Sequence, residues 1–287
     1  MTLRCGSRLL DLSRPKVMGI LNVTPDSFFD GGRYTDLDHL LQQAEKMLSA
    51  GADLLDIGGA SSRPGALEVS AAEEMDRVMP VIETLSGHFP EALLSIDTWR
   101  ASVARAAVQA GVALVNDISA GRLDHDLYPT VAALNAVQPD GSQPGAVPYV
   151  LMHMQGRPET MQQAPVYTDV VTEVLDFFIA EVAKLRDLHI HDIILDPGFG
   201  FGKTVEQNYQ LLRQLSVFRH VLQLPVLVGL SRKSMICKVL KVHPEQALNG
   251  TTALHMVALQ QGANILRVHD VREAVEVIQL WEIVKKG

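Results

Sequence analysis

The sequence predicts an α/β fold of the (β/α)8 barrel class, in which eight parallel strands alternate with helices. Three observations favour this fold: eight short apolar runs recur at fairly regular intervals, amphipathic helical patterns separate them, and the chain has 287 residues. Barrels of this class have about 250 residues in one domain, so we expect residues 1–287 to form a single domain. A doubly wound open sheet is the second choice.

The apolar runs are nearly continuous in hydrophobicity, as expected for parallel strands that helices cover on both faces. The predicted barrel strands are residues 17–23, 53–57, 93–96, 113–115, 149–152, 193–195, 226–230 and 264–268, after a short N-terminal strand or hairpin. Between them, apolar residues recur at helical spacing, as in residues 75–82, 171–185 and 271–278. Ser70 followed by Glu73 predicts a capping box before the second of the helices that follow barrel strands.

Charge and composition argue against several classes of protein. The 25 Lys and Arg residues against 33 Asp and Glu residues give a net charge of −8, and no basic cluster offsets it, which argues against a nucleic-acid partner. No apolar run approaches the roughly 18 residues of a membrane span, so no membrane association is expected. Cys5 and Cys237 have neither CxxC nor zinc spacing and are expected to be reduced thiols in the cytoplasm.

Polar residues follow every predicted strand, at the end where barrel enzymes carry their active sites. The cationic ones are Lys233 after the seventh strand, Arg267 and His269 on the eighth, and Arg63 after the second. Two arginines and a histidine at one mouth of a barrel fit a phosphate group, because charge-assisted hydrogen bonds are strong. The alternative is that Arg267 and Asp270 only pair with their neighbours.

The acidic and amide residues at the strand ends are Asp97, Asn116 and Asp196. A carboxylate accepts two parallel N–H bonds, so these side chains fit the edge of a guanine-like or pterin ring. The same residue types fit a divalent metal, and their positions on three strands leave both possibilities open. For three other residues a helix cap or a structural role is at least as consistent with the pattern: Asp56, Asp117 and Ser231.

The segment DPGFGFGK from Asp196 resembles a nucleotide-binding loop but has the wrong spacing for one. A Walker loop needs a glycine where this chain has Pro197, and the glycines do not match GxGxxG either. The segment predicts either a flexible wall that lets Phe201 lie over a flat ligand or a tight turn after the strand.

Long motifs follow one another along nearly the whole chain: MGILNVTPDSFFDGG from Met18, GGASSRPGA from Gly58, SIDT from Ser95, NDIS from Asn116, LMHMQGRP from Leu151, LDPGFGFGK from Leu195, GLSRKS from Gly229 and RVHDV from Arg267. Through these motifs the sequence resembles the dihydropteroate synthases of bacterial folate biosynthesis. One motif departs from that family, which usually has Glu-Ser-Thr where this chain has Ala60-Ser61-Ser62.

The resemblance implies an alkyl transfer other than methyl transfer. In it, 7,8-dihydropterin-6-ylmethyl diphosphate condenses with 4-aminobenzoate to give 7,8-dihydropteroate and pyrophosphate, with Mg²⁺ as cofactor. It also implies a homodimer that forms through the later helices. Two alternatives are a catalytically silent pterin-binding paralogue and a methyltetrahydrofolate-dependent methyltransferase of the same superfamily.

The resemblance also implies the roles of individual residues. Those implied to bind the pterin are Asp97, Asn116, Met152, Asp196, Phe201, Gly229 and Lys233. Those implied to bind the diphosphate are Asn22, Arg63, Arg267 and His269, with Asn22 also the metal ligand. Those implied to surround the aminobenzoate are Phe28, Ser62, Pro64, Arg232 and Ser234. Catalytic roles are implied for Lys233, Asp97, Asp196, Arg63 and Asp30, the last two through loop closure that excludes water.

Overall fold

The computed structural model describes residues 1–23, 33–61, 69–136, 146–158, 160–161 and 165–286. The chain starts with an antiparallel hairpin of β1 (Thr2–Cys5) and β2 (Arg8–Asp11), which confirms the expected N-terminal hairpin. Its buried apolar side chains, among them Leu3 and Leu10, pack against the first residues of the barrel strands. The hairpin therefore covers the amino-terminal end of the barrel.

Eight parallel strands form a nearly closed barrel, as the sequence predicts. They are β3 (Lys16–Asn22), β4 (Leu54–Gly58), β5 (Leu93–Asp97), β6 (Leu114–Asp117), β7 (Tyr149–Met152), β8 (Ile193–Asp196), β9 (Leu227–Val228) and β10 (Ile265–Val268). Their order around the barrel is β8-β7-β6-β5-β4-β3-β10-β9. An isolated parallel bridge between Leu195 and Val226 joins the two ends, where the Leu195 N–H donates to the Pro225 carbonyl over 2.8 Å.

Helices follow the strands and cover the outside of the barrel. They are α1 (Arg33–Ser49), α2 (Ala71–His88), α3 (Ala101–Gln109), α4 (Leu127–Asn135), α5 (Val170–Asp187), α6 (Val205–Arg213), α7 (Ser216–Leu222), α8 (Ser234–Leu240), α9 (Leu248–Gln260) and α10 (Val271–Lys286). The capping box before α2 is confirmed: the Glu73 N–H donates to Ser70 Oγ over 3.2 Å, and the Ser70 N–H to Glu73 Oε2 over 2.9 Å.

Most of the apolar core lies between the sheet and the helices. In α5 the buried residues Val174, Phe178, Val182 and Leu185 recur at helical spacing and face the barrel. The Phe178 ring meets Phe218 of α7 edge-on, with ring centroids 5.5 Å apart. None of the helices in the described parts of the chain combines the length and apolarity that crossing a bilayer requires. This outer core holds the strands so that their carboxyl ends meet at one mouth.

Candidate active site

At the mouth, one guanidinium joins two carboxylates from different strands. Arg267 of β10 donates from Nε to Asp56 Oδ2 and from Nη2 to Asp97 Oδ2, each over 2.6 Å. Asp56 on β4 is fully buried, and the Asp97 and Arg267 side chains are each 18% exposed. These contacts use two of the five N–H donors of an arginine, so with respect to the described residues Arg267 retains donors for a ligand.

Asp56 also organises the neighbouring strands. Ser95 Oγ donates to Asp56 Oδ1 over 2.5 Å, and Asn116 Nδ2 donates to Asp56 Oδ2 over 2.8 Å. A carboxylate paired with an arginine only accepts hydrogen bonds, so it fixes which end of the Asn116 amide faces it. Asn116 is therefore held with its nitrogen toward Asp56 and its carbonyl oxygen turned away.

Burial and neighbouring charges act against each other in this cluster. Burial raises the pKa of Asp97 to about 7, the Arg267 guanidinium lowers it, and the Asp56 carboxylate raises it further. Burial lowers the pKa of Arg267, but the Asp56 and Asp97 carboxylates together raise it above its ordinary value. Arg267 therefore stays a cation, whereas the charge of Asp97 depends on what surrounds it.

Asp196, Lys233 and Arg267 surround a small space next to Gly229. A Cβ atom added to Gly229 would lie 3.8 Å from Lys233 Nζ, 3.9 Å from Arg267 Cβ and 4.0 Å from Asp196 Oδ2. A side chain at Gly229 would fill the space between these charged groups. Burial raises the pKa of Asp196 and lowers that of Lys233 to about 8, and each group's charge opposes the shift of the other.

An apolar wall faces these charges. Met152 at the end of β7 is 2% exposed and packs with Met154 and Met161, and Phe201 packs against this group. Lys233 Nζ lies 4.7 Å from the centroid of the Phe201 ring, within the range of a cation–π contact. The mouth thus combines buried acceptors with an apolar and aromatic side, as a flat heterocycle with N–H groups requires.

Replacing Asp56 with asparagine is expected to lower the pKa of Asp97. The substitution removes a negative charge that raises this pKa and leaves Arg267 with one carboxylate partner. A ¹³C NMR titration of the Asp97 carboxyl would show its midpoint moving below that of the wild type. Ser95→Ala is the control, since it removes a hydrogen bond from Asp56 but no charge, and an unmoved midpoint in Asp56→Asn would contradict this account.

Other predicted site residues lie at the more exposed rim. His269 is exposed, and its Nδ1 lies 3.1 Å from Ser231 Oγ. Arg232 forms a bidentate ion pair with Asp270, in which its Nε and Nη2 donate to the two carboxylate oxygens over 2.8 and 2.6 Å. Ser234 is the exposed first residue of α8.

Asn22 also lies at this rim, at the end of β3. It is exposed, and a Cβ atom added to Gly58 would lie 3.7 Å from Asn22 Oδ1 and 3.6 Å from Asp97 Cβ, so both side chains flank the same glycine. Among the residues that the structure describes, no three His, Cys, Asp or Glu side chains group as metal ligands. Five predicted site residues lie outside the described residues: Phe28, Asp30, Ser62, Arg63 and Pro64.

Comparisons with known proteins match this chain over almost its whole length. Residues 18–269 match the family of pterin binding enzymes. The dihydropteroate synthase of Escherichia coli K12 is 46% identical over 275 residues, which cover 95% of this chain and 93% of that protein. The chain belongs to the dihydropteroate synthase family of pterin binding enzymes.

Solved structures of dihydropteroate synthases share the fold. The Yersinia pestis dihydropteroate synthase with a sulfonamide drug complex has a TM-score of 0.88 and 46% identity, and all of each chain is covered. The Xanthomonas albilineans dihydropteroate synthase with 4-aminobenzoic acid has a TM-score of 0.89 and 42% identity, again with all of each chain covered. The fold and the family predicted from the sequence are therefore confirmed.

Within this dihydropteroate synthase fold, the structure adds residues that the sequence did not single out as site residues. For Asp56 the sequence leaves a cap or structural role open beside a functional one, although a carboxylate inside the apolar run Leu54–Gly58 signals a buried charged partner. Asp117 does have a structural role, because it accepts from the Ser119 and Gly121 N–H groups and from the Tyr149 hydroxyl. His153 is among the polar residues that follow predicted strands, but the sequence assigns a role neither to it nor to Lys203; both are buried beside the mouth.

Proposed function

We propose that this chain catalyses the dihydropteroate synthase reaction at this mouth. In it, 7,8-dihydropterin-6-ylmethyl diphosphate and 4-aminobenzoate form 7,8-dihydropteroate and pyrophosphate. The observation that carries the proposal is the direct contact of Arg267 with Asp97. It places a cation that can bind an anionic leaving group next to a carboxylate that can bind a heterocycle. A methyltetrahydrofolate-dependent methyltransferase would have no use for the diphosphate part of this site.

The pterin binds through acceptors at the carboxyl ends of the strands. Asp97, Asn116 and Asp196 accept from the ring N–H and exocyclic amine, and the Asn116 carbonyl is oriented to do so because Asp56 holds the amide nitrogen. Lys233 donates to the ring from the other side. The pterin ring stacks in a slot between the apolar wall and the strands. The apolar and small residues that form this slot are Met152, Phe201 and Gly229.

The diphosphate lies toward the rim, where Arg267 and the exposed His269 donate to it. As the bond between the methylene carbon and the diphosphate oxygen breaks, negative charge accumulates on the leaving group, and preoriented cations stabilise it without reorganising. Arg267 is preoriented in this sense, because two carboxylates already fix its guanidinium. The positive charge on the methylene carbon is delocalised into the pterin ring.

The aminobenzoate binds nearest the opening, with Arg232 and Ser234 as the described residues around it. Its amine is neutral at pH 7, so it attacks the methylene carbon through its lone pair, and the proton that it then loses needs no strong base. Closure of the loops that follow the first and second barrel strands excludes water, which would otherwise react with the cationic carbon. The remaining residues of this part of the site are Phe28, Ser62 and Pro64 around the aminobenzoate, and Asp30 and Arg63, which act through the closure.

Mg²⁺ fits the residues present at the rim. A Mg²⁺ ion bound to a diphosphate takes few protein ligands and prefers oxygen, and Asn22 offers an amide oxygen close to Asp97. When bound, the ion would help to neutralise the leaving group. We also propose that the chain acts in the cytoplasm as a homodimer; the free thiols of Cys5 and Cys237 support a reducing compartment.

A coupled assay for pyrophosphate tests the proposed function. We expect the purified chain to release pyrophosphate from 7,8-dihydropterin-6-ylmethyl diphosphate only when 4-aminobenzoate is present, with 7,8-dihydropteroate formed in equal amount. Omission of 4-aminobenzoate is the matched control. Tight binding of the pterin without turnover would contradict the proposal and indicate the silent paralogue.

A further inference from the structure

The β8–α6 connection contains a lysine that is almost completely buried. Lys203 is 3% exposed, and its Nζ atom has four acceptors within hydrogen-bond distance. These are His153 Nδ1 at 3.0 Å and the carbonyl oxygens of His153 at 3.2 Å, Gly198 at 3.1 Å and Phe201 at 2.9 Å. A buried amine with this many partners is an organised structural centre.

The acceptors define the chemistry of this centre. Burial, with a contribution from Lys203, lowers the pKa of His153 to about 2, so the ring is neutral and its Nδ1 accepts. Burial lowers the pKa of Lys203 to about 7, and Asp196 opposes that shift. Three of the four acceptors are carbonyls, which cannot donate. An ammonium group has three N–H donors for them, whereas a neutral amine has only two.

Two of the three carbonyl partners of Lys203, those of Gly198 and Phe201, lie at the two ends of one turn. The Phe201 N–H donates to the Gly198 carbonyl over 3.0 Å, which closes the turn 198–201. Gly198 has a φ of 68°, and a Cβ atom there would overlap the His153 carbonyl oxygen, so the turn lies directly against the end of β7. Lys203 therefore fastens both ends of this turn to the strand that ends in Met152.

The same turn contacts Lys233. Lys233 Nζ donates to the Phe199 carbonyl over 2.6 Å and lies 4.7 Å from the centroid of the Phe201 ring. Phe201 is one of the two turn residues to which Lys203 donates, and Phe199 lies between those two residues. The place of the Lys233 ammonium in the slot thus depends on the turn 198–201, and the turn depends on Lys203.

We propose that Lys203 is a positioning residue for the pterin slot, which it shapes by fastening the turn 198–201 to the end of β7. Through the Phe199 carbonyl and the Phe201 side chain, Lys203 sets where the Lys233 ammonium meets the pterin ring. The consequence for pterin binding rests on the proposed function, whereas the effect on the Lys233 contact does not.

Lys203→Met tests this role because methionine keeps a similar length but has no donor. We expect the dissociation constant of 6-hydroxymethyl-7,8-dihydropterin to rise at least about tenfold. The affinity for pyrophosphate should stay within about twofold of the wild type, because the contacts of Arg267 with Asp56 and Asp97 do not involve the turn. Equal losses for both ligands, or no loss of pterin affinity, would overturn the proposal.

Tyr128→Phe is the control for a general loss of stability. It removes the hydrogen bond from the Tyr128 hydroxyl to Glu181 on the outside of the barrel, and it should leave both affinities unchanged. Lys203→Gln is the second variant should Lys203→Met fail to fold, since it retains donors without the charge. The same selective loss of pterin affinity is expected in it, and its absence would overturn the proposal.

A crystal structure of the Lys203 variant that folds separates this inference from the proposed function. We expect the turn to shift and the separation of Lys233 Nζ from the Phe199 oxygen to exceed hydrogen-bond distance; a contact kept at the wild-type 2.6 Å would overturn the positioning role. Turnover by the wild type is measured separately. A wild type that never releases pyrophosphate contradicts the synthase proposal, while the crystal structure still decides the role of Lys203.

Discussion

Arg267→Ala is expected to lower the free energy of unfolding by about 3–5 kcal/mol at pH 8, because it leaves the buried carboxylates of Asp56 and Asp97 without their shared cation. Urea unfolding measures the change. The exposed pair of Arg272 with Glu276 offers a matched control on α10, and Arg272→Ala should change the free energy by less than about 0.5 kcal/mol. A loss that is no larger in Arg267→Ala than in Arg272→Ala would refute this account.

The effect of Arg267→Ala should depend on pH, and its sign follows from Asp97. The folded protein already raises the pKa of Asp97 to about 7, and loss of Arg267 raises it further. A carboxyl group whose pKa is raised by folding contributes stability at low pH, and this contribution is lost as the pH rises through the folded pKa. The variant should therefore lose more stability between pH 5 and pH 8 than the wild type, and adding Asp97→Asn should remove most of that difference.

Arg267→Ala should also weaken the binding of diphosphate. Isothermal titration calorimetry with pyrophosphate, at a pH where the variant is folded, measures this directly. Unchanged pyrophosphate affinity would remove the assignment of Arg267 to the leaving group. We expect the stability and binding effects to have one cause, because the residue that offsets two buried charges is also the one proposed to donate to the diphosphate.

Lys233→Ala is expected to reduce kcat/KM by at least about 100-fold, with little loss of stability. The Lys233 ammonium lies next to the space at Gly229, and its charge lowers the pKa of Asp196 against the effect of burial. Without it, Asp196 is more often protonated and becomes a poorer acceptor for the ring. Steady-state kinetics of pyrophosphate release measure the loss.

Lys238→Ala is the control for Lys233→Ala, because Lys238 lies exposed in the last turn of the helix α8 that Lys233 precedes. It should leave kcat/KM within about twofold of the wild type. Asp97→Ala should match Lys233→Ala in its effect on turnover, since it removes one of the proposed acceptors for the ring. Full activity in either Lys233→Ala or Asp97→Ala would contradict the proposed pterin site.

The sequence predicted the barrel because its signals are local. Continuous apolar runs and helical spacing depend on residues close together in the chain, and the capping box of Ser70 with Glu73 spans only three residues. The seventh predicted strand, 226–230, is shorter in the structure, where β9 comprises only Leu227–Val228. The apolar run extends beyond β9 because residues outside its hydrogen-bonded part are also buried, such as Leu230, which is 0% exposed.

The contacts within the site could not be predicted in the same way. Arg267 pairs with Asp56 and Asp97, which are 211 and 170 residues away, and no local pattern links residues at such distances. The residue types and their positions at strand ends were enough to group cations and acceptors at one mouth. Which acid each cation contacts depends on strand order and register, so both Asp56 and Lys203 needed the structure.

The N-terminal hairpin has a consequence for the order in which small molecules enter and leave. Its side chains fill the far end of the barrel together with those of Met18, Leu54 and Ile194, so we expect substrates and products to share the opposite end as their entrance. A molecule that binds innermost must enter first and leave last. With the heterocycle at the buried Asp196, as proposed above, we expect it to bind before the aromatic amine and the inorganic product to leave while the heterocycle stays in place.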